Sequence, residues 1–327
     1  MSHPAEVGYI SSPIAEGLAN TRRAQQALTE ISNSIIWELT EIDRQIGAPR
    51  PGQLVVVGAR SGNGKTTFLL NWMNCLHDSL EYRTCYIGTE MGPQELYRKW
   101  AAMRLYLDED AVLANEWNKL PQEARLRVEG DLHFLGLESD RTWLPECYQP
   151  TTEQVLDIIR RADEEFRADV VIFDHLHRLR TKPGQSEREA LVEVSAALKT
   201  LATERQMLVV VASQLKREEH GVFDRYRPPH LGSFMGSSAI EGNADIALAL
   251  FRPLKPMTQK QERAIRSGAL SIKQFVREGV MAVKCVKHRF RGRASDTTVF
   301  VLCRDGRVED LEMAGNWEEI NREDRLR

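Results

Sequence analysis

The sequence lacks the features that mark membrane, secreted and zinc-stabilised proteins. Its five cysteines are widely spaced and include no Cys-x-x-Cys pair, which argues against a zinc cluster or a disulfide scaffold and suggests a reducing compartment. No apolar run approaches the ~18 residues needed to span a membrane. The first residues, MSHPAEVGYISS, lack the basic and apolar layout of a signal peptide. We therefore predict a cytoplasmic protein without a membrane partner.

Charge of one sign is not in excess either. The net charge is −3 and the pI is about 6.3, so the chain has no global basic signature for nucleic acid. A ring or groove can still concentrate basic residues locally, and nucleic-acid binding remains open. The 327 residues suffice for one large α/β domain with an appendage, or for two small domains.

The most informative stretch is Leu54–Leu70, LVVVGARSGNGKTTFLL. Its first four residues predict a buried strand, a glycine-rich turn follows, and an apolar helix start comes after the lysine. This is the layout of a phosphate-binding P-loop, in which backbone N–H groups converge on an anion. Ala59 stands where the motif has its first glycine. The predicted nucleotide-binding residues are Ser61, Gly62, Asn63, Gly64, Lys65, Thr66 and Thr67, with Thr66 placed to ligate magnesium.

Strands alternate with helices along the rest of the chain. This order predicts an α/β fold with a doubly wound, mostly parallel sheet and helices on both faces. The predicted strands are 54–57, 84–88, 170–173, 208–212, 246–251, 280–286 and 297–302, with a further short strand at His133–Leu137. Arg141–Pro150 is predicted to be a loop.

The N-terminal region carries a helical pattern from about Pro13 to Ile46. Ala24, Leu28, Ile31, Ile35 and Leu39 recur at three- and four-residue spacing, which gives one apolar stripe. The stripe suits a helix packed on its own domain and equally a linker helix that docks on a neighbouring subunit. The pattern alone leaves both interpretations open.

Four polar residues follow predicted strands and should meet at one edge of the sheet, because ligands of such sheets bind beyond the carboxyl ends of the strands. They are Lys65, Glu90, Asp174 and Gln214. Phosphoryl transfer to water needs a phosphate cradle, a metal ion, an aligned water and neutralisation of the γ-phosphate. Asp174 fits the magnesium shell, Glu90 can polarise the attacking water, and Gln214 can contact the γ-phosphate.

Lys287 and Arg289 lie two residues apart on a strand-like segment, so their side chains point to the same side. Arg291 and Arg293 follow closely. This segment is either a solvated basic hairpin tip or an arginine finger that reaches a γ-phosphate in a neighbouring subunit.

The order of these motifs resembles the RecA-like motor domain of DnaB-type replicative helicases. The matching segments, over roughly Ile35 to Leu311, are the P-loop, TEM, IFDH, ASQLKRE, SSAIEGNADIAL and VKHRFRG. In that family the P-loop often begins with alanine, which would account for Ala59. The resemblance implies ATP or another NTP and Mg²⁺ as cofactors, with Lys65 and Thr66 for nucleotide and magnesium, Glu90 as catalytic base, Asp174 as second acidic residue, Gln214 as γ-phosphate sensor, and Lys287 and Arg289 acting in trans.

The resemblance also implies an ATP-dependent helicase that translocates on single-stranded DNA as a homo-hexameric ring. It favours subunit docking for the N-terminal stripe and a bacterial or phage protein in the cytoplasm. The expected organisation is a disordered N-terminus with a linker helix (1–46), a RecA-like ATPase motor domain (47–314) and a polar tail (315–327). We expect space only for a linker before the motor, so that priming and loading would come from a separate primase and a helicase loader.

One departure from the family concerns the expected DNA-contacting loop. The family commonly carries Arg and Gly where this chain has Met235 and Ser238. The predicted DNA-binding residues are Lys216, Arg217, Met235, Gly236, Ser237 and Ser238, with Arg225 and Arg227 as further basic residues nearby. Two other functions therefore stay open: a RecA-like DNA-dependent ATPase of recombination or repair, and an ATP-gated assembly module whose DNA loop has decayed.

Overall fold

The computed structural model of the chain describes residues 34–107, 117–137, 140–216, 221–223, 226–236, 242–304 and 306–311. Most of the predicted N-terminal helix, the polar tail and the loop residues Arg217, Arg225, Ser237 and Ser238 lie outside these ranges. None of the described helices combines the length and the apolar character that crossing a membrane requires.

Within the described residues, nine strands form one sheet in the order β3-β2-β4-β5-β1-β6-β7-β8-β9. The strands are β1 Leu54–Ala59, β2 Thr84–Gly88, β3 Thr142–Trp143, β4 Val170–Asp174, β5 Leu208–Gln214, β6 Ile246–Phe251, β7 Val280–His288, β8 Thr298–Arg304 and β9 Arg307–Asp310. All neighbours from β3 to β6 are parallel, and β7, β8 and β9 continue the sheet antiparallel. The predicted mostly parallel α/β sheet is confirmed.

Helices cover both faces of this sheet. They are α1 Thr40–Gln45, α2 Lys65–Asp78, α3 Pro93–Arg104, α4 Gln122–Leu137, α5 Thr152–Glu164, α6 Glu187–Arg205 and α7 Gln259–Arg266. Successive strand residues point to opposite faces. Val55 and Val57 of β1 therefore pack with α2 and α3. Leu54 and Val209, in contrast, pack with α5 and α6. Parallel strands are buried on both faces, and β1, β4 and β5 accordingly begin with continuous runs of Val, Ile and Leu.

The segment before α1 differs from the prediction. The helix predicted for Ile35–Leu39 is wrong: this stretch is irregular, and Ile35, Trp37 and Leu39 are buried while Ile36 and Glu38 between them are exposed. Trp37 packs against Trp72 with ring centroids 4.4 Å apart. Burial at every second residue suits extended chain, and contact with the domain's own core has overridden the helical spacing.

Two shorter predictions also fail. His133–Leu137 is the last part of α4 and not a strand. The predicted loop Arg141–Pro150 contains the two-residue strand β3, which pairs with β2 at the edge of the sheet. A short apolar run is compatible with either a helix or a strand, and sequence period alone does not separate them.

Candidate functional site

The P-loop joins the end of β1 to the start of α2. Gly62 and Gly64 have φ angles of 73° and 82°, a region that L-residues rarely adopt. A Cβ on Gly64 would also lie 2.6 Å from the Met281 methyl group, so the tight turn depends on glycine at this position. The helix begins directly at Lys65. Its free backbone N–H groups and its dipole therefore face the loop, as an anion site requires.

Asp174 ends β4 beside this loop, as the strand-end argument predicts. Its Oδ2 accepts hydrogen bonds from the Thr66 hydroxyl at 2.7 Å and from the Tyr86 hydroxyl at 2.9 Å. Its Oδ1 lies 3.7 Å from Lys65 Nζ, and among the described residues nothing hydrogen-bonds to this buried oxygen. A carboxylate with an unsatisfied oxygen next to a threonine hydroxyl is an oxygen donor set that fits Mg²⁺.

The Asp174 carboxylate also sits in an electrostatically coupled group. Burial lowers the pKa of Lys65, and the carboxylates of Asp174 and Glu90 oppose this shift. Burial raises the pKa of Tyr86 well above its usual value, and the Asp174 charge adds to the shift. Tyr86 therefore stays a neutral donor to Asp174.

Glu90 follows β2 and faces the same loop. Its Oε1 accepts from the Arg178 guanidinium at 2.9 and 3.0 Å and lies 3.1 Å from His175 Nε2. Partial burial favours a higher pKa, but the hydrogen bonds from Arg178 and His175 outweigh it and leave the pKa of Glu90 below its ordinary value. Glu90 is therefore ionised near neutral pH, which a group that accepts a proton from water requires.

Lys65, Glu90 and Gln214 line one cleft of about 510 Å³ at the carboxyl edge of the sheet, next to Asp174. The structure thus brings together the residues that the strand-end argument selected. The other lining residues are Ala59, Arg60, Ser61, Gly62, Gly64, Thr66, Thr67, Lys99, His175, Arg178 and Arg252. Sequence reasoning missed Arg252, although its position directly after β6 carries the same strand-end signal as Gln214 after β5.

The predicted trans-acting residues lie at the opposite edge. Arg289 donates to the Asp245 carboxylate at 3.0 Å and to the Gly242 carbonyl at 2.8 Å, and Lys287 donates to the Ala244 carbonyl at 2.6 Å. Asp245 also accepts from the backbone N–H of Leu54, the first residue of β1. The P-loop follows the other end of β1, roughly 16 Å away at ~3.3 Å per residue. Lys287 and Arg289 therefore stand well apart from the nucleotide cleft of their own chain.

The described part of the predicted DNA loop is tied to β5. The Lys216 backbone N–H donates to the Ser233 carbonyl at 2.7 Å, and the Met235 N–H donates to the Gln214 carbonyl at 3.2 Å. Gly236 has a φ angle of 69° and approaches Leu191 of α6. Met235 is thus one backbone hydrogen bond away from Gln214, which lines the cleft, and Lys216 lies two residues after Gln214 in the chain.

The sequence is similar to a known protein family and to several of its curated members. The model of the DnaB-like helicase C terminal domain family matches residues 35–299. The chain is 28% identical over 219 residues to the replicative DNA helicase DnaB of Leifsonia xyli subsp. xyli (strain CTCB07), a match that covers 65% of this chain and 45% of that protein. It is 27% identical over 225 residues to the replicative DNA helicase DnaB of Haemophilus influenzae, with the same coverage. The chain thus spans less than half the length of these curated relatives.

Solved structures agree on the fold. One of them, an ATPase domain, superposes with a TM-score of 0.71 at 19% identity, covering 92% of this chain and 100% of that one. A DnaB-like replicative helicase, described with its interactions with primase, gives a TM-score of 0.69 at 19% identity and covers 92% of this chain and 68% of the other. The sheet is therefore RecA-like. Since the family match extends over most of the sequence, the chain belongs to the DnaB-like helicase C-terminal domain family.

Proposed function

We propose that this chain is the ATP-hydrolysing motor of a replicative-type DNA helicase. It would translocate on single-stranded DNA as a hexameric ring and hydrolyse nucleotide at the interfaces between subunits. The observation that carries the proposal is the division between two edges of one sheet. The P-loop and Glu90 line one cleft, with Asp174 hydrogen-bonded to Thr66 beside it, whereas Arg289 is held by Asp245 at the other edge.

In this proposal the cleft binds the triphosphate of ATP. Lys65 and the loop N–H groups hold the phosphates, Glu90 accepts a proton from the attacking water, and Gln214 contacts the γ-phosphate. Thr66 and Asp174 would hold Mg²⁺, whose charge neutralises the phosphate oxygens when it is bound. The unsatisfied Oδ1 of Asp174 supports that assignment.

Lys287 and Arg289 would complete the site of the adjacent subunit. A single chain presents them at the edge away from its own cleft, which supports action in trans over action in cis. A head-to-tail arrangement of identical chains places the basic edge of each chain against the cleft of the next, and it forms a ring when the rotation between neighbours closes. Assembly would then be a condition of activity.

The partners that we propose are based on the names of similar proteins. Those matched here are named replicative DNA helicases, and one similar structure is described with its interactions with primase. We extend this to the chain as a proposal: it acts in the cytoplasm on single-stranded DNA and works with a separate primase and a helicase loader.

The test is ATP hydrolysis with and without single-stranded DNA, alongside a measurement of the mass of the assembly. A hexamer whose ATPase rate rises with DNA, and whose activity is lost when EDTA removes Mg²⁺, is the expected result. A chain without DNA-stimulated hydrolysis, in the presence and absence of a loader, would contradict the proposal. An open DNA-bound filament without unwinding would favour the recombination or repair ATPase.

Met235 favours a second candidate, the ATP-gated assembly module. An arginine at this position would bring positive charge to the loop beside Gln214, and methionine brings none. The affinity for single-stranded DNA against salt separates the candidates, because phosphate contacts weaken as salt rises. Steeply salt-dependent binding fits the motor, and negligible binding at every salt concentration fits the module.

A further inference from the structure

Arg178 is a residue of the nucleotide cleft to which neither the sequence motifs nor the family comparison gives a role. We infer that Arg178 is a positioning residue that orients the carboxylate of Glu90 toward the attacking water. The inference rests on the proposed function, because it assumes that Glu90 is the general base. Arg178 would be the group that holds this base in place.

Among the described residues, all the side-chain contacts of the Glu90 carboxylate are made by one of its two oxygens, Oε1. Arg178 Nε and Nη2 both donate to Oε1, and His175 Nε2 lies 3.1 Å from the same oxygen. Oε2 takes no hydrogen bond from the residues that the structure describes. One oxygen is therefore fixed by three donor groups, while the other is left to accept a proton from water. A free glutamate would rotate between several rotamers, and holding one of them lowers the entropic cost of reaching the reactive geometry.

The turn that carries these donors is itself held. The His175 backbone N–H donates to the Thr89 hydroxyl at 3.0 Å, and the Thr89 N–H donates to the Asp174 carbonyl at 2.8 Å. The His177 N–H donates to His175 Nδ1 at 3.1 Å. Since Nδ1 is an acceptor, the proton of the neutral imidazole lies on Nε2, which then donates to Glu90. The turn after β4 thus presents both donors, His175 and Arg178, to Glu90.

Arg178 supplies charge as well as orientation. The Arg178 and Glu90 side chains are 51% and 46% exposed, so the pair contributes little to stability and removing it should leave the fold intact. Other charged groups face or adjoin the same cleft: Lys65 and Arg60 from the P-loop, Lys99 from α3, Arg252 after β6 and Asp174 at the end of β4. Arg178 is the cation hydrogen-bonded to Glu90 in the described residues. Its loss should therefore raise the pKa of Glu90.

The experiment compares Arg178→Met with Arg178→Lys in the assembled, DNA-stimulated protein. Methionine keeps an unbranched stem without charge, and lysine keeps the charge without the two-pronged contact. We expect Arg178→Met to lower kcat about tenfold with little change in KM for ATP. The acid limb of its pH–rate profile should move to higher pH. Arg178→Lys should return the acid limb part of the way to its original position, because it restores the charge but not the two-pronged hydrogen bond, and should recover part of kcat.

Arg180→Met is the matched control, because Arg180 is exposed two residues away and donates to the Gln149 carbonyl instead. It changes the net charge equally and should match the parent in kcat and pH profile. A parent-like Arg178→Met would overturn the inference, and so would a rise in KM at constant kcat, which would make Arg178 a nucleotide contact. If the parent hydrolyses ATP while Arg178→Met behaves normally, the inference alone fails. A parent without ATPase activity removes the proposed function and the inference together.

Discussion

The two edges of the sheet use the same kinds of side chain in opposite ways. At the carboxyl edge, Lys65 and Asp174 stand 3.7 Å apart beside an open cleft, and an oxygen of Asp174 has no hydrogen bond within the described residues. At the amino edge, the fully buried Asp245 is paired with Lys199 at 2.7 Å and with Arg289 at 3.0 Å. One carboxylate has room for a ligand, and the other is already neutralised by its own chain.

In the proposed function, the carboxyl edge binds the nucleotide and the amino edge presents Arg289 to a neighbouring chain. Asp245 also accepts the Leu54 N–H, so it fixes the start of β1 and the base of the basic hairpin together. The Arg289 guanidinium donates through Nη1 to Asp245 and through Nη2 to the Gly242 carbonyl, and the side chain is still 41% exposed. An anchored and partly exposed guanidinium suits action on a neighbouring molecule.

The largest expected effect lies at the carboxyl edge. Replacing Lys65 with alanine removes the cation that reaches the outer phosphates, and ATP turnover should fall below detection. Steady-state ATPase assays measure it, and Lys260→Ala, at an exposed position on α7, is the matched control. A Lys65→Ala protein that still hydrolyses ATP at the parent rate would show that the P-loop lysine is not needed for hydrolysis.

A slightly smaller effect is expected at the amino edge. Arg289→Ala should lower kcat about 10³-fold, the order seen when a finger arginine is lost, while nucleotide affinity stays near that of the parent. A fluorescent nucleotide titration beside the ATPase assay separates the two quantities. Loss of nucleotide binding would show that Arg289 supports the cleft of its own chain and is not a finger.

The ion pairs of Asp245 with Lys199 and Arg289 should contribute to the stability of the fold. Asp245→Asn keeps an acceptor for the Leu54 N–H but removes the charge that Lys199 and Arg289 neutralise. Because both cations can partly reach water, we expect the free energy of unfolding to fall by about 2 kcal/mol. Asp296→Asn is the control, since its pair with Lys284 lies at a side chain that is 85% exposed. Equal effects of the two substitutions in urea denaturation would contradict the comparison.

The smallest effect concerns pH. His288, at the end of β7, accepts the backbone N–H groups of Phe290 and Arg291, and burial, with the charges of Arg291 and Arg50, lowers its pKa to about 4. An unfolded histidine has a pKa near ~6.5, so between these values only the unfolded chain binds the proton and stability falls as pH falls. His288→Asn, which keeps an acceptor, should flatten this loss by on the order of 1 kcal/mol between pH 7 and 5. Identical pH slopes in urea unfolding would refute this role.

The sequence predicted the carboxyl edge better than the amino edge for a physical reason. Lys65, Glu90, Asp174 and Gln214 all lie at or after strand ends, and in a parallel sheet chain position alone brings such residues together. Asp245 gave no comparable signal, because its partner Leu54 is 191 residues away in the chain. Contacts of that range depend on strand order, which hydrophobic patterning does not determine.

The same limit explains the residues that were missed or misplaced. Arg178 acts on Glu90 across 88 residues, and only the pairing of β2 with β4 brings the two together. The stretch Ile35–Leu39 has helical spacing, yet it packs as extended chain because Trp37 has Trp72 and Phe68 to bury against. Local propensity is a weak guide where tertiary contacts compete with it.

The central claim is that each nucleotide site is divided between two chains, and mixing two inactive proteins tests it directly. Lys65→Ala lacks the cradle but keeps the finger, and Arg289→Ala lacks the finger but keeps the cradle. When the two are co-expressed in one ring, about a quarter of the interfaces should combine an intact cradle with an intact finger. The account predicts that ATPase activity reappears in the mixed ring, whereas a mixture as inactive as its components would contradict it.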